Sequence, residues 1–457
     1  MGDFGLAGRA ELVLAKSTEA PIDAPIVRFA ISLQAGDTAA CEAAIKRMEN
    51  GPLDFMVPVL RAWLAFDRGE DPFPYLDKRT NNALARRFVM EHRALIMIAM
   101  KKPEGLEGVR QMLASEDNPD LRINAALLLA QTGKRKDAIA LLAGDRPELV
   151  ALRKALGKGP KPSASIGAAR LFLSLVVDLV TEDAPPEISI LLARSALLLD
   201  PTDDRARLYL GEALSKAGMS TLALAELNKV GPKSPYYRGA FAGRVAALRR
   251  AGRLDEAVVQ AKGASEGRGG TAADARTYGD LLSEQKHYDD AATAYAVAIS
   301  RPGGDADWSL HYLRGVALDK AGRWKEALPQ LRRAIELGPD EATALSYLGN
   351  AMIAHGEDGE DAQALLEKAS RLKPNDPVII DSLGWAYFKR GDTARALPLL
   401  ERAAKADPGD PKINEHLGDA YWQLGRRYEA RYAWQAAAIY ADDEASARLK
   451  GKIANGL

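Results

Sequence analysis

A serine between two glycines has the setting that most resembles a catalytic motif. Residues 263–267 read Gly-Ala-Ser-Glu-Gly, and the pattern G-x-S-x-G places a serine nucleophile at a sharp turn between a strand and a helix. The residues before Gly263 have helical rather than strand periodicity, and an Arg-Gly-Gly run follows. A turn that ends a helix therefore accounts for the motif better, and a serine hydrolase using Ser265 is a remote alternative.

Other residues that could carry out chemistry do not form a recognisable pattern. The five histidines lie far apart in the sequence, without the H-E-x-x-H spacing of a zinc protease. The single cysteine, Cys41, cannot supply a thiolate zinc site, and a small packed core residue is a better interpretation of it than a reactive thiol. We therefore expect no catalytic residues, no metal and no cofactor, and a protein that is not an enzyme.

Charge and hydropathy restrict the partners. Lysine plus arginine and aspartate plus glutamate number 62 each, so the zero net charge gives no reason to expect nucleic-acid binding. Aspartate or arginine interrupts the most apolar stretches before they reach the roughly 18 to 20 residues of a membrane span. No leader is visible, so we expect a cytoplasmic protein. A periplasmic or outer-membrane-associated location is the alternative if a lipoprotein leader is missing from this chain.

The elements that position all these residues follow a period of about 34 residues. Small residues recur at two positions of that period, where two helices of a hairpin would cross and a larger side chain would overpack the crossing. Glycine occupies position 8 at Gly211, Gly279, Gly315, Gly349, Gly384 and Gly418. Alanine occupies position 20 at Ala223, Ala257, Ala291, Ala327, Ala362, Ala396 and Ala430.

Two independent stop signals share this register. A second glycine lies at position 15, where the first helix of each hairpin should end, as at Gly322 and Gly391. Proline near position 32, as at Pro339 and Pro408, ends the second helix. Because the two signals are unrelated, their agreement indicates a true repeat.

The repeats predict four segments. Residues 1–156 form irregular, degenerate helical repeats, 157–165 a linker, 166–441 a regular array, and 442–457 a C-terminal capping helix. The repeats of the array start near 170, 204, 238, 272, 308, 342, 377 and 411.

The register resembles that of the tetratricopeptide repeat (TPR) family. The resemblance implies an all-α fold, a right-handed α-α superhelix or solenoid of helix-turn-helix repeats, and a protein that binds other proteins. It also implies that positions 2, 5, 9 and 12 of each first helix face a concave groove. Some TPR co-chaperones hold a peptide carboxylate there with a clamp of Lys and Asn. This chain has Ser346 and Ser382 at two of the clamp positions, so the clamp is incomplete.

Aromatic residues are concentrated near the C-terminus, and some of them fall on groove positions. Trp385, Phe388 and Trp422 are candidate partner-binding anchors, although packing against a neighbouring repeat or the C-terminal helix is the competing interpretation. The remaining groove candidates are polar or mixed. They are Tyr312, Asn350, Asp381, Lys389, Lys412, Glu415 and His416.

The segments around 381–387, 415–422 and 425–434 also resemble the C-terminal end of large bacterial TPR proteins. Several such relatives are similar to envelope lipoproteins that recruit proteases or assembly machinery. The resemblance thus implies a non-enzymatic adaptor or scaffold that binds a protein or peptide partner in the groove. A self-associating structural scaffold, which would bury the aromatic residues in a homo-oligomer, is the alternative.

Overall fold

The structure is a computed structural model, and it describes residues 24–49, 51–77, 82–182, 184–267, 269–357 and 359–457. Within these residues there are 26 α-helices, one 3₁₀-helix and no β-strand, which confirms the predicted all-α fold. The chain divides into two compact units, Met1–Arg253 (unit 1) and Leu254–Leu457 (unit 2).

Unit 1 contains fourteen of the described α-helices. They are α1 Ala24–Gln34, α2 Thr38–Met48, α3 Val57–Asp67, α4 Phe73–Leu76, α5 Ala83–Ala99, α6 Pro103–Ser115, α7 Pro119–Gln131, α8 Arg135–Leu141, α9 Pro147–Ala155, α10 Ala164–Thr181, α11 Pro186–Leu199, α12 Asp204–Lys216, α13 Ser220–Leu227 and α14 Tyr237–Arg250. The 3₁₀-helix, Asp54–Met56, precedes α3.

The core of unit 1 joins hairpins that are distant in the sequence. Helices α1 and α3 pack against α11 and α10 respectively. Phe29 of α1 meets Phe172 of α10 edge to face at 6.4 Å, and Trp63 of α3 is fully buried. A Cβ atom on Gly167 would lie 2.1 Å from the Trp63 ring, so only glycine allows α10 to approach α3 this closely.

Unit 2 contains the other twelve described helices. They are α15 Leu254–Glu266, α16 Ala272–Glu284, α17 Tyr288–Ile299, α18 Trp308–Lys320, α19 Trp324–Leu337, α20 Ala342–Ala354, α21 Gly359–Leu372, α22 Pro377–Lys389, α23 Thr393–Ala406, α24 Pro411–Gln423, α25 Arg427–Tyr440 and α26 Asp443–Asn455. Helices α16 to α25 form five successive hairpins, and α26 packs on the last of them.

The glycines at position 8 sit at the helix crossings of the hairpins. A Cβ atom on Gly315 would lie 2.6 Å from Leu331, and one on Gly418 would lie 2.4 Å from Trp434. The alanines at position 20 are completely buried in every repeat. Small residues therefore fix how closely the two helices of each hairpin approach one another.

Helix starts and stops follow the local sequence. Side chains of Asp, Asn, Ser or Thr cap many helices by accepting a backbone N–H, and at α16 Thr271 and Asp274 form a reciprocal capping box. The glycines at position 15 have φ between 70° and 81°, the left-handed conformation that ends a helix. At the same position of the repeat that begins at Ala272, Lys286 adopts φ 63°.

One difference from the sequence expectations has a local cause, and the burial of Cys41 agrees with its expected place in the core. Helix α10 starts at Ala164, six residues before the expected repeat start at Arg170, because Ser163 caps it by accepting the N–H of Ile166. Residues 156–163 before it are not helical. Cys41 is fully buried, and burial together with nearby Asp37 and Glu42 raises the pKa of its thiol to about 12.

Candidate functional site

The candidate groove residues of the last two hairpins come together on one face of unit 2. Helix α22 contributes Asp381, Trp385, Phe388 and Lys389, and the adjacent helix α24 contributes residues 412, 415 and 416. We call these seven residues the α22–α24 surface.

A stack of three rings crosses from α22 to α24. The Trp385 ring lies parallel to His416 with 3.8 Å between ring centroids, and Phe388 stacks on Trp385 at 4.9 Å. The Asp381 carboxylate lies 2.9 Å from Nδ1 of His416, so that ring nitrogen donates to it. Asp381 and His416 are buried, whereas Trp385 and Phe388 are half-buried. The stack therefore packs the two hairpins together and leaves part of both rings at the surface.

Helix α26 neutralises the acidic residues of α24. Arg448 contacts both carboxylate oxygens of Glu415, at 2.9 and 2.8 Å, and Lys452 lies 2.8 Å from Glu415 and 2.7 Å from Asp419. Burial acts to raise the pKa of Glu415, but the hydrogen bonds from Arg448 and Lys452 outweigh it and lower the pKa to about 2. Glu415 is therefore held as a buried, paired carboxylate and is not open to a partner.

Trp422 is also covered by the chain's own C-terminal residues. A Cβ atom on Gly456 would lie 1.8 Å from the Trp422 ring, and Ile453 of α26 packs in the same cluster. The Arg427 guanidinium lies 3.8 Å from the ring centroid. For Trp422 the contacts match packing against the C-terminal helix, the competing interpretation of the sequence.

The remaining candidates lie on α18 and α20. Asn350 donates to Ser382 Oγ at 2.6 Å, and Ser346 and Ser382 are buried 3.5 Å apart, so no cation stands at those clamp positions. Tyr312 is half-buried between Trp308 and Tyr347, at 6.2 and 5.7 Å, and burial raises the pKa of its hydroxyl.

Two lysines are the exposed members of the α22–α24 surface. Lys389 lies with its ammonium 5.7 Å from the Trp385 ring centroid, and Lys412 is at the start of α24. Within the described residues, neither lysine forms an ion pair. Both carboxylates of this surface, Asp381 and Glu415, are occupied internally. The open part of the surface therefore consists of half-exposed aromatic rings beside two unpaired cations.

Sequence reasoning missed the cations that complete the site. Arg448 and Lys452 are four residues apart on α26, and Glu415 and Asp419 are four residues apart on α24. Each pair thus lies on one face of its own helix. The opposite charges of the two faces are a sequence signal that could have predicted the packing of α26 on α24.

Ser265 lies in the last turn of α15 and is buried. Residues 254–266 before and around it are helical, so the strand that a nucleophile elbow needs is absent at this place. The predicted turn at the end of a helix describes the motif, and the geometry contradicts a serine nucleophile at Ser265.

Among the described residues, no group of three or more His, Cys, Asp or Glu side chains is arranged to hold a metal ion. None of the described helices combines the length and the apolar character needed to cross a bilayer.

Comparisons with known proteins bear on the repeats. The sequence model of the tetratricopeptide repeat family matches residues 277–328, 312–377 and 382–446. A TPR repeat-containing protein of Pseudomonas aeruginosa is 28% identical over 194 residues, which are 42% of this chain. The match spans only 32% of that relative's own length.

Two solved structures match this chain with low sequence identity and low TM-scores. MamA of Desulfovibrio magneticus RS-1, from residue 41 to its end, is 18% identical and matches 37% of this chain and 94% of its own, with a TM-score of 0.33. The Cut9–Hcn1 hetero-tetramer of the APC/C contains a chain that is 12% identical, with 98% of this chain and 92% of that one covered and a TM-score of 0.42. The hairpins of one register and the small residues at their crossings agree with the family match, so the residues that the model covers, 277–377 and 382–446, are similar to tetratricopeptide repeats.

Proposed function

We propose that the chain is a non-enzymatic adaptor that holds a protein or peptide segment on the α22–α24 surface. The observation that supports this most is the imbalance of that surface: its acidic side chains are paired internally, while Lys389 and Lys412 are exposed without ion pairs in the described residues. Half-exposed aromatic rings beside cations without ion pairs are groups that can anchor a partner segment. Recruitment of envelope proteases or assembly machinery remains a prediction.

The chemistry of the surface defines the segment. The exposed parts of Trp385 and Phe388 offer apolar area for an aliphatic or aromatic side chain. The lysine ammonium groups favour a carboxylate, from Asp, Glu or a chain end, close to that side chain. The partner segment is therefore apolar and acidic. Its binding does not need the complete carboxylate clamp of the TPR co-chaperones, in which this chain has Ser346 and Ser382 at two positions.

Site-specific crosslinking tests the assignment. A photoreactive phenylalanine analogue replaces Lys389 in one variant and Lys405 in another, and both are irradiated in the native host. Lys405 is the matched control because it is an exposed lysine on α23, the second helix of the same hairpin. We expect a specific adduct at position 389 that is absent at position 405. Equal labelling at the two positions would contradict the assignment.

Charge reversal tests the acidic character of the partner. With the crosslinked partner purified, Lys389→Glu/Lys412→Glu should weaken its affinity by about tenfold or more, and the loss should shrink at high salt. Lys405→Glu should leave the affinity unchanged. A helical circular-dichroism spectrum identical to that of the wild type shows that the double variant is folded.

One feature supports the alternative of self-association. Helix α25 exposes Tyr428 by 81%, Tyr432 by 71% and Ile439 by 71%, all on one face of the helix. An apolar face of this kind fits a second copy of the chain. Analytical ultracentrifugation of the wild type and of Tyr428→Lys/Tyr432→Lys tests this: a wild-type dimer that the double variant abolishes supports it, and a wild-type monomer at high concentration contradicts it.

A further inference from the structure

Unit 1 contains an open cavity of about 710 Å³ beside the short helix α9. Its wall includes Ile123 of α7, Val150 and Ala151 of α9, and Leu208 of α12. We call this space the α9 cavity. Its volume lies in the range of about 300 to 1,000 Å³ that is typical of ligand sites, and its wall belongs to residues outside the family match.

The sequence of α9 explains why the space exists. Leu149 and Leu152 are buried, at 3% and 5% exposed, and fix the helix to unit 1. The two residues between them, Val150 and Ala151, line the cavity, and both have short side chains. Helix α9 therefore forms one wall of the cavity without filling it.

Polar groups in the wall lack protein partners. Tyr209 and Tyr236 line the cavity, and within the described residues neither hydroxyl group has a hydrogen-bond partner. Burial raises the pKa of both hydroxyls, so they stay neutral and can donate as well as accept. Arg205, only 3% exposed, also lines the cavity, and its Nε–H has no acceptor. Unpaired polar groups in an apolar site are groups that a ligand can satisfy.

The mouth of the cavity carries charges of both signs. Asp145, Glu148 and Lys154 are exposed lining residues, and none of them forms an ion pair with another described residue. The buried charge of Arg205 is offset by Asp120 and Asp203. A polyanion such as a nucleic acid, or a polycation, would meet repulsion at this mouth. A neutral peptide segment, which carries an apolar side chain on a backbone with its own donors and acceptors, meets no such charge repulsion.

We propose that the α9 cavity is a second peptide-binding site, which takes one large apolar side chain of the Leu or Phe type. The peptide main chain on either side of that residue hydrogen-bonds the hydroxyls of Tyr209 and Tyr236. This site is separate from the α22–α24 surface in residues and in the chemistry that it recognises, since it needs no carboxylate.

Fluorescein-labelled hexapeptide pools with one fixed central residue test the site on the full chain. We expect the Phe and Leu pools to bind about tenfold more tightly than the Gly pool in fluorescence anisotropy. Ala151→Trp fills the cavity and should abolish this preference, whereas Ala155→Trp, an exposed position of the same helix outside the cavity wall, should keep it. Tyr236→Phe keeps the ring and should weaken binding by about threefold to tenfold.

Four results would contradict the proposal. Equal affinity of the Phe, Leu and Gly pools would remove the apolar side-chain site. Equal effects of Ala151→Trp and Ala155→Trp would place the binding outside the cavity. Loss of binding in the Lys389→Glu/Lys412→Glu variant would assign it to the α22–α24 surface, whereas we expect no change there. If Ala151→Trp does not fold, unchanged binding by a folded Tyr236→Phe variant overturns the proposed contact.

Discussion

The two units hold their helices together by different means. In unit 2 the hairpins meet through small residues at fixed positions, as where Gly315 faces Leu331. In unit 1, α7, α10 and α12 meet through buried polar side chains: Arg205 bonds Asp120 and lies 2.9 Å from Asn124, and Arg170 lies 2.7 Å from the same Asn124 oxygen. The comparison shows that helices within one chain can be held together by close approach or by an ion network, with different consequences for mutation.

Removing one charge from the unit 1 network should have the largest effect. Asp120→Ala leaves Arg205 buried without its main partner, so we expect the free energy of unfolding of unit 1 to fall by about 3 to 5 kcal/mol. Hydrogen exchange of peptides from α7 and α12 measures this change locally. Asp340→Ala removes an exposed ion pair with Lys368 and should cost less than about 1 kcal/mol. A comparable cost for both variants would mean that the buried network does not stabilise unit 1.

Adding one methyl group at a hairpin crossing tests the unit 2 arrangement. In Gly418→Ala the new Cβ lies 2.4 Å from Trp434, and we expect overpacking to lower the stability of unit 2 by about 2 kcal/mol. Gly384→Ala is the control, because its nearest neighbour, Leu400, lies 3.0 Å away. There the helix propensity of alanine, about 1 kcal/mol better than that of glycine, should offset the contact. Thermal denaturation that ranks the two variants equally would contradict the close-approach argument.

Acid should release α26 from α24. The folded-state pKa of Glu415, about 2, lies below its ordinary value of 4.5, so the stability that Glu415 contributes is present above pH 4.5 and is lost as the pH falls toward 2. Pepsin cleavage of residues 443–457 should therefore accelerate across this interval. Glu415→Gln weakens the charge-assisted hydrogen bonds by about 1.5 to 3 kcal/mol and should remove the pH dependence. Glu444→Gln, on the exposed face of α26, should retain it.

The smallest expected effect concerns the ends of the first helices. Lys286 holds φ 63° where the other regular repeats of unit 2 have glycine. Lys286→Gly relieves the left-handed conformation of an L-residue, and we expect a gain of about 0.5 to 1 kcal/mol. The matched change, Gly322→Ala at φ 77°, should cost about 1 kcal/mol. Chemical denaturation measures the free energy of unfolding of both variants, which should rise for Lys286→Gly and fall for Gly322→Ala. A loss of stability in Lys286→Gly would show that another contact of the lysine dominates.

The regular half of the fold could be predicted because its signals are local. Glycine and alanine at fixed spacing indicate helix crossings whatever lies elsewhere in the chain, and the observed starts of α12, α16, α18, α20, α22 and α24 coincide with the expected repeat starts. The polar network of unit 1 could not be predicted. Arg205 and Asp120 are 85 residues apart, and charged residues in a sequence usually indicate solvated faces.

The candidate site could be predicted only in part, for a similar reason. The periodicity brings Trp385 and Phe388 to the same face as His416, but spacing does not tell whether a ring is open or stacked. The cover over Trp422 and Glu415 comes from α26, which has no place in the repeat and whose docking depends on tertiary contacts.

The ring stack between α22 and α24 has a thermodynamic consequence for recognition. Because Trp385 and His416 lock the two helices together, the separation of the lysines at 389 and 412 is set before any partner arrives. In the proposed complex, the helices of this chain then lose little conformational entropy, and the cost of ordering falls on the incoming segment and the two lysine side chains. A preorganised receptor of this kind favours segments that are themselves stiff.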